Sequence, residues 1–334
     1  MFVLPAHLVA TPVLELLDAE GNGVVLGAGA TAAWVDLDGF VVAITTREVP
    51  LLPNAVALGG GSGSLTRPGV APGAPARLAP GRLDLGPLRV TWDPAAPPAW
   101  DPTVQAPPNA DRHAVARRGA ALLDALGVRA DAPGAADLVG DLARIGLPTA
   151  VDPDGAAGLR LLFQGIWGRD PVPAAGGARG LLGRGPGLTP EGDDLLAAVA
   201  GTLAVLGPTT GLHGNDLAAL LTAIGMKDSK RAGPPTPATS RTTALSATLL
   251  ALAAAGRLPE PAGRLLDLGP SGEAAWPAAL ARLERLGHGS GRAYAAGIAA
   301  ATSLLATGTS AGSGAPGEDR RQHRCGRVSR RRPR

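Results

Sequence analysis

The chain has 1 cysteine, 3% aromatic residues and only two lysines, Lys227 and Lys230, in 334 residues. Each shortage excludes a class of function. Cys325 stands alone near the end of the chain, so no internal disulfide, redox pair or cysteine-built metal cluster is available, and only a metal site without cysteine stays open. Without a lysine in any glycine-rich loop there is no P-loop of the usual kind. So few aromatic rings leave little to stack against single-stranded nucleic acid. No apolar run reaches the roughly 18 residues of a membrane span. Alanine carries the mean hydropathy of +0.14. The opening Met1-Phe2-Val3-Leu4-Pro5 lacks the basic region and long apolar stretch of a signal peptide, so the expected location is cytoplasmic with no membrane partner.

What the chain does have is 48 glycines, 32 prolines and an uneven charge distribution. Its pI of about 9.7 suggests nucleic-acid binding. The excess is local, however: residues 318–334 hold eight arginines against Glu318 and Asp319, while the whole chain is only +3. An acidic body with a basic tail is not a basic groove, so nucleic acid is not the expected partner.

The patterning predicts an α+β protein. Short apolar runs rich in Val, Trp, Phe, Ile and Thr, at Gly23 to Leu26, Ala32 to Leu37, Phe40 to Thr45, Ala55 to Leu58 and Leu88 to Trp92, read as strands of a small antiparallel sheet or barrel. Asp38-Gly39 signals a hairpin, and Gly59 to Ser64 a flexible loop. We divide the chain into a β-rich domain (1–93), a proline-rich joint (94–110), a helical domain (111–307) and a disordered basic tail (308–334). Helical spacing marks Asp111 to Leu126, with Arg117 and Arg118 facing outward, and Ala135 to Ile145. Further helices are expected at Gly158 to Trp167, Asp193 to Leu206, Asn215 to Ile224, Thr242 to Ala255, Ala274 to Leu286 and Arg292 to Ala306. Asp193 to Leu206 is apolar all round, which puts it at the centre of a bundle. Met226 to Ser240 reads as a flexible insert.

Three segments could carry chemistry, and each opens a helix. In Gly183-Arg184-Gly185-Pro186-Gly187-Leu188-Thr189-Pro190-Glu191-Gly192-Asp193-Asp194, Thr189 is the expected N-cap and Pro190 the first helical residue. A glycine inside the first turn costs about 1 kcal/mol against alanine, which points to something approaching the backbone closely. Exposed N–H groups around Gly185, Gly187 and Gly192 would suit an anionic oxygen. Asp193 and Asp194 would bind a divalent cation such as magnesium or an amide NH2. Neighbours on a helix diverge by about 100°, so one of the two serves the site while the other caps or pairs.

The second segment, Gly287-His288-Gly289-Ser290-Gly291-Arg292, brings an imidazole, a hydroxyl and backbone donors together. It lacks the Gly-x-Ser-x-Gly pattern and the preceding strand of a nucleophile elbow. In the third, Arg241 would neutralise a carboxylate or phosphate beside Thr242, Thr243 and Ser246. Ordinary helix capping also accounts for much of each segment, and no complete catalytic set is visible.

The Gly187 to Leu196 string, the Arg241-Thr242-Thr243 to Ser246 segment and the Gly287 to Gly291 turn with Gly297 resemble the AllH-like family, typified by the AllH-type subunit of oxamate carbamoyltransferase. In that family the first motif reads Gly-Leu-Thr-Pro-Ser-Gly-Asp-Asp-Phe-Leu and the last Gly-His-x-Ser-Gly. The resemblance runs from about Leu14 to Ala306, weak over the sheet and strong at the motifs. Departures are Glu191 for serine, Leu195 for phenylalanine, Ala198 for glycine and Ala293 where an acid is often found. The resemblance implies a place in allantoin and purine breakdown beside AllF-like and AllG-like subunits. That assembly converts oxalurate and phosphate to oxamate and carbamoyl phosphate. Asp193, Asp194 and His288 are then the candidate catalytic residues, and Gly185, Gly187, Thr189, Gly192, Arg241, Thr242, Ser246, Gly289 and Ser290 the candidate contacts to a small anionic substrate. A non-catalytic sensor or scaffold that binds a small anion is the competing expectation.

Overall fold

The computed structural model describes residues 1–16, 20–59, 65, 68–128, 135–226, 241–287 and 289–308. The first hundred residues supply β1 (Phe2–Ala10), α1 (Thr11–Leu14), β2 (Gly21–Ala28), β3 (Ala32–Leu37), β4 (Phe40–Thr45), β5 (Ala55–Leu58), β6 (Pro75–Ala79), β7 (Arg82–Leu85), β8 (Leu88–Thr91) and β9 (Ala99–Trp100). Their order is β5-β4-β3-β2-β6-β7-β8-β1-β9, and a β1–β5 pairing closes the first eight into a barrel. The α+β expectation holds. The barrel is nevertheless mixed rather than wholly antiparallel, because β4–β5 and β1–β8 run parallel, as does β9 where it adds to β1.

β1 makes this closure possible by changing partner midway. Phe2 to Pro5 run beside Leu88 to Thr91, and from Ala6 the strand turns to β5 through an irregularity in register. Pro5 stands at that change, where its missing N–H interrupts no continuous ladder. Alternation on β3 sends Ala33, Val35 and Leu37 into the barrel core and turns Ala32, Trp34 and Asp36 outward. Asp38 (φ 51°) and Gly39 (φ 90°) form the tight turn to β4, as their dipeptide predicts. Of the expected glycine loop, residues 60–64 lie outside the described residues.

The helices are α2 (Arg112–Ala125), α3 (Ala135–Arg144), α4 (Pro148–Val151), α5 (Pro153–Gly168), α6 (Pro171–Leu181), α7 (Glu191–Leu206), α8 (Gly214–Leu221), α9 (Ala244–Ala254), α10 (Glu260–Leu266), α11 (Pro270–Glu284) and α12 (Ser290–Thr307). All eight expected helices form, and α8 continues into a wider turn over Thr222–Met226. The helices α4, α6 and α10 carry no comparable periodicity in the sequence. As expected, α7 is buried on nearly every face. Small residues let its neighbours close in: a Cβ at Gly297 of α12 would fall 2.7 Å from Ala198 Cβ and 2.9 Å from the Leu195 carbonyl oxygen of α7.

One outward assignment fails. Arg117 is exposed, but Arg118 is 1% exposed. Its guanidinium donates to the Leu265 carbonyl at 2.5 Å, lies 3.1 Å from Glu273 and sits over Trp276. Those partners offset part of the cost of burying an arginine, while its Nε and Nη2 make no hydrogen bond.

The connection between the two regions is ordered at several points. Val104 donates to the Gly256 carbonyl at 2.9 Å and Leu258 to that of Pro102 at 3.1 Å. Directly across the seam, Val41 N–H donates to Thr248 Oγ1 at 3.0 Å and Glu260 N–H to the Leu51 carbonyl at 2.9 Å. Residues 227–240 and 309–334, which include the expected insert and nearly all of the tail, lie outside the described residues. Among the described residues no helix is long and apolar enough to cross a membrane.

Candidate functional site

The glycine-rich segment between α6 and α7 is a tight loop in which Gly183, Gly185 and Gly187 all have positive φ. Two of its glycines admit backbone rather than ligand. A Cβ at Gly183 would lie 1.7 Å from the Arg241 carbonyl oxygen, and one at Gly192 would lie 2.2 Å from that of Leu181. The N–H groups of the first turn of α7 are also engaged: Gly192 donates to Arg184, and Asp193 and Asp194 donate to Pro190, all carbonyl acceptors.

The expected cap differs too. Pro190 occupies the N-cap position, with no side-chain cap bond. Thr189 instead places Oγ1 3.0 Å from Ser290 Oγ, joining the loop to the start of α12. Pro190 has no side-chain acceptor for a cap, and with the N-cap position one residue later than expected the Thr189 hydroxyl makes this contact instead.

The adjacent aspartates diverge as helical geometry requires. Asp193, 2% exposed, is a structural anchor. Its Oδ1 accepts from Gly183 N–H at 2.7 Å and its Oδ2 accepts from the Thr242 hydroxyl. Burial pushes its carboxyl above the usual range, while Gly183, Thr242 and Ser246 hold it down. Thr243 caps α9, accepting from Ser246 N–H at 3.0 Å, and its hydroxyl donates to the Leu188 carbonyl at 2.5 Å. The third motif thus braces the first.

Asp194 is different. It is 5% exposed, its Oδ2 has no hydrogen-bond partner, and it lines a cavity of about 910 Å³ between barrel and helices. Burial pushes its carboxyl up to about 7; the Asp193 and Glu191 charges add to this, and Ser290 and Thr189 oppose it. The Tyr294 hydroxyl, also buried, is held above its ordinary range by that burial and by the Asp194 charge.

Of the candidate contacts, Gly185, Gly187, Thr189, Gly289 and Ser290 line this cavity together with Asp194. Gly192, Asp193, Thr242 and Ser246 support it from behind. Arg241 is exposed and does not line it, contributing its backbone carbonyl to the loop contact. His288 lies outside the described residues. Sequence reasoning did not name Trp34, Arg285 or Tyr294, and noted Glu191 only as a departure from the family motif; all four line the cavity. The outward tryptophan on an alternating strand and the chain's one tyrosine, four residues past Ser290, were the available signals.

The charge of the lining is unlike that of an anion pocket. Glu48, Asp152, Glu191 and Asp194 face Arg184 and Arg285. Arg184 is paired with Asp152, and Glu191 accepts from Thr149 N–H at 2.7 Å. A lone buried acceptor in acidic surroundings favours a ligand that donates hydrogen bonds at this point. Among the described residues no group of three His, Cys, Asp or Glu could hold a metal ion, and both oxygens of Asp193 already accept hydrogen bonds.

No curated protein and no solved structure matches the chain. Residues 181–302, from the end of α6 to near the end of α12 and so through all three motifs, match the family described as oxamate carbamoyltransferase subunit AllH.

Proposed function

We propose that the chain is the AllH-type subunit of a complex of the oxamate carbamoyltransferase type, acting in allantoin and purine breakdown with AllF-like and AllG-like subunits. Its cavity contributes the ligand site. The observation that carries this reading is Asp194, a residue lining the cavity whose Oδ2 is buried without a hydrogen-bond partner, within the segment that matches the family. A carbamoyl or ureido NH2 supplies the donor that this oxygen lacks. The hydroxyls of Ser290 and Thr189 stand beside it to fix the group's orientation. Because the surroundings are acidic, the anionic part of such a ligand belongs away from Asp194, toward Arg285.

A carboxyl that titrates near neutrality can also give or take a proton at the bound amide nitrogen. The test is reconstitution with AllF-like and AllG-like subunits, followed by phosphate-dependent conversion of oxalurate. Asp194→Asn is expected to lower turnover at least tenfold while the complex still assembles. Unchanged turnover, or failure of the three chains to associate, refutes the assignment. A purely binding role for the same cavity is favoured by the commitment of Asp193 to internal hydrogen bonds, which leaves one free carboxylate rather than a pair. It predicts Asp194-dependent ligand binding with normal turnover in the variant.

A further inference from the structure

The cavity is far larger than a carbamoyl compound needs. About 910 Å³ is near the top of the range of about 300–1,000 Å³ typical of sites for drug-sized ligands and cofactors. A ureido acid of nine heavy atoms would leave most of it unfilled.

The shape of the lining says what kind of molecule fills the remainder. The barrel contributes Trp34, Val49 and Leu52, and the helices contribute Leu249 and Leu286 from the other side. These walls are apolar and include an aromatic ring, which suits a flat body better than a hydrated acid. The polar groups that bear on a ligand are Asp194 with Ser290 and Thr189 at the half-buried loop contact, and the exposed Arg285, which makes no ion pair among the described residues; Arg184 is paired with Asp152, and Glu48 and Glu191 complete the charged lining.

We propose that the cavity accommodates a nitrogen heterocycle of mononucleotide size bearing an anionic group, with an N–H edge on Asp194, its ring between Trp34 and Leu249, and its anion at Arg285. A nucleobase edge pairs a donor with an acceptor, and the free Oδ2 beside two hydroxyls offers both complements. A phosphate at the opposite end is kept clear of the buried carboxylate and meets a guanidinium. The proposal rests on Asp194 marking a ligand site, and it deepens that reading by naming a class of ligand larger than the small substrate.

The experiment is ligand-dependent melting and calorimetric titration of the full chain with guanosine, adenosine and uridine 5′-monophosphates. The corresponding nucleosides, oxalurate and carbamoyl phosphate run in parallel. At least one nucleotide is expected to bind. Leu249→Trp, which fills the wall, should weaken that nucleotide at least tenfold while sparing oxalurate. Arg285→Ala should weaken the nucleotide at least fivefold and leave its nucleoside unchanged. Should Leu249→Trp fail to fold, Trp34→Ala serves as the second wall variant, with the same loss expected. If only the small ureide or carbamoyl phosphate binds, in an Asp194-dependent way, the proposal falls while the ligand site stands. If nothing binds at millimolar concentration, both fall.

Discussion

Replacing Asp194 by asparagine is expected to stabilise the protein at alkaline pH, the reverse of what removal of a buried polar contact normally does. Below its usual value of 3.8 the carboxyl is protonated in folded and unfolded chains alike, and its charge costs nothing. As the pH rises through 3.8 the unfolded chain releases the proton while the folded chain keeps it until about 7, so stability falls across this window. At about 1.4 kcal/mol per pH unit the loss reaches about 4 kcal/mol once the pH is above both values.

Asparagine has the same shape and cannot ionise. The variant should therefore match wild type near pH 4 and exceed it by up to about 4 kcal/mol at pH 8, a rise in melting temperature of about 10 °C. Asp193 and Glu191 repel the Asp194 charge, and Ser290 and Thr189 hydroxyls favour it. All four are present in both proteins, so the difference between the two pH profiles reports the Asp194 charge together with its coupling to Asp193 and Glu191. Urea denaturation across pH 4 to 8 measures it. A difference independent of pH, or a variant less stable than wild type at pH 8, refutes the buried, unpaired carboxylate.

Three further outcomes test other parts of the structure. Ser290→Ala removes a hydrogen bond that favours the Asp194 charge, so its carboxyl should titrate above about 7 in a carbon-13 NMR titration, and a downward move refutes the contact. Gly183→Ala forces a side chain at φ 74° with its Cβ 1.7 Å from the Arg241 carbonyl oxygen; it should cost about 3 kcal/mol or more, seen as a lower urea midpoint with unchanged slope. Arg118→Ala should cost about 3 kcal/mol by emptying a fully buried site and leaving the Leu265 carbonyl without its partner, whereas Arg117→Ala on the same helix should change urea stability by under about 0.5 kcal/mol.

How far the fold could be read from sequence depended on where each element's stabilisation comes from. β3 and β4 announce themselves through alternation and the Asp38-Gly39 turn, both local signals. β1 does not, since Pro5 interrupts it and its partners lie some fifty to eighty-five residues away. The clearest case is α6, whose Pro171–Leu181 sequence carries two prolines and three glycines and has little helical propensity of its own. It forms because α5 accepts it at backbone distance. A Cβ at Gly165 would lie 2.4 Å from Ala174 N, and one at Gly177 would lie 2.3 Å from Leu162 N. Packing closer than any side chain permits outweighs propensity, and no single-segment pattern reveals it.

The same distinction explains the candidate site. Surplus glycine at the opening of α7 was a sound signal that something approaches the backbone, yet at Gly183 and Gly192 the approaching atoms are the chain's own carbonyl oxygens. The adjacent acids carried the complementary signal: geometry fixed that they diverge, but which one turns inward depended on Thr242 and Ser290, far along the chain. Thr242 engages Asp193, and the Ser290 side leaves one oxygen of Asp194 free. A carboxylate buried with one unpartnered oxygen is hard to explain as packing, because asparagine would fill the same space without burying a charge. Function requiring a charge or a mobile proton at this point explains it. The expected pairing of greater stability with lost turnover in Asp194→Asn would make that trade directly visible.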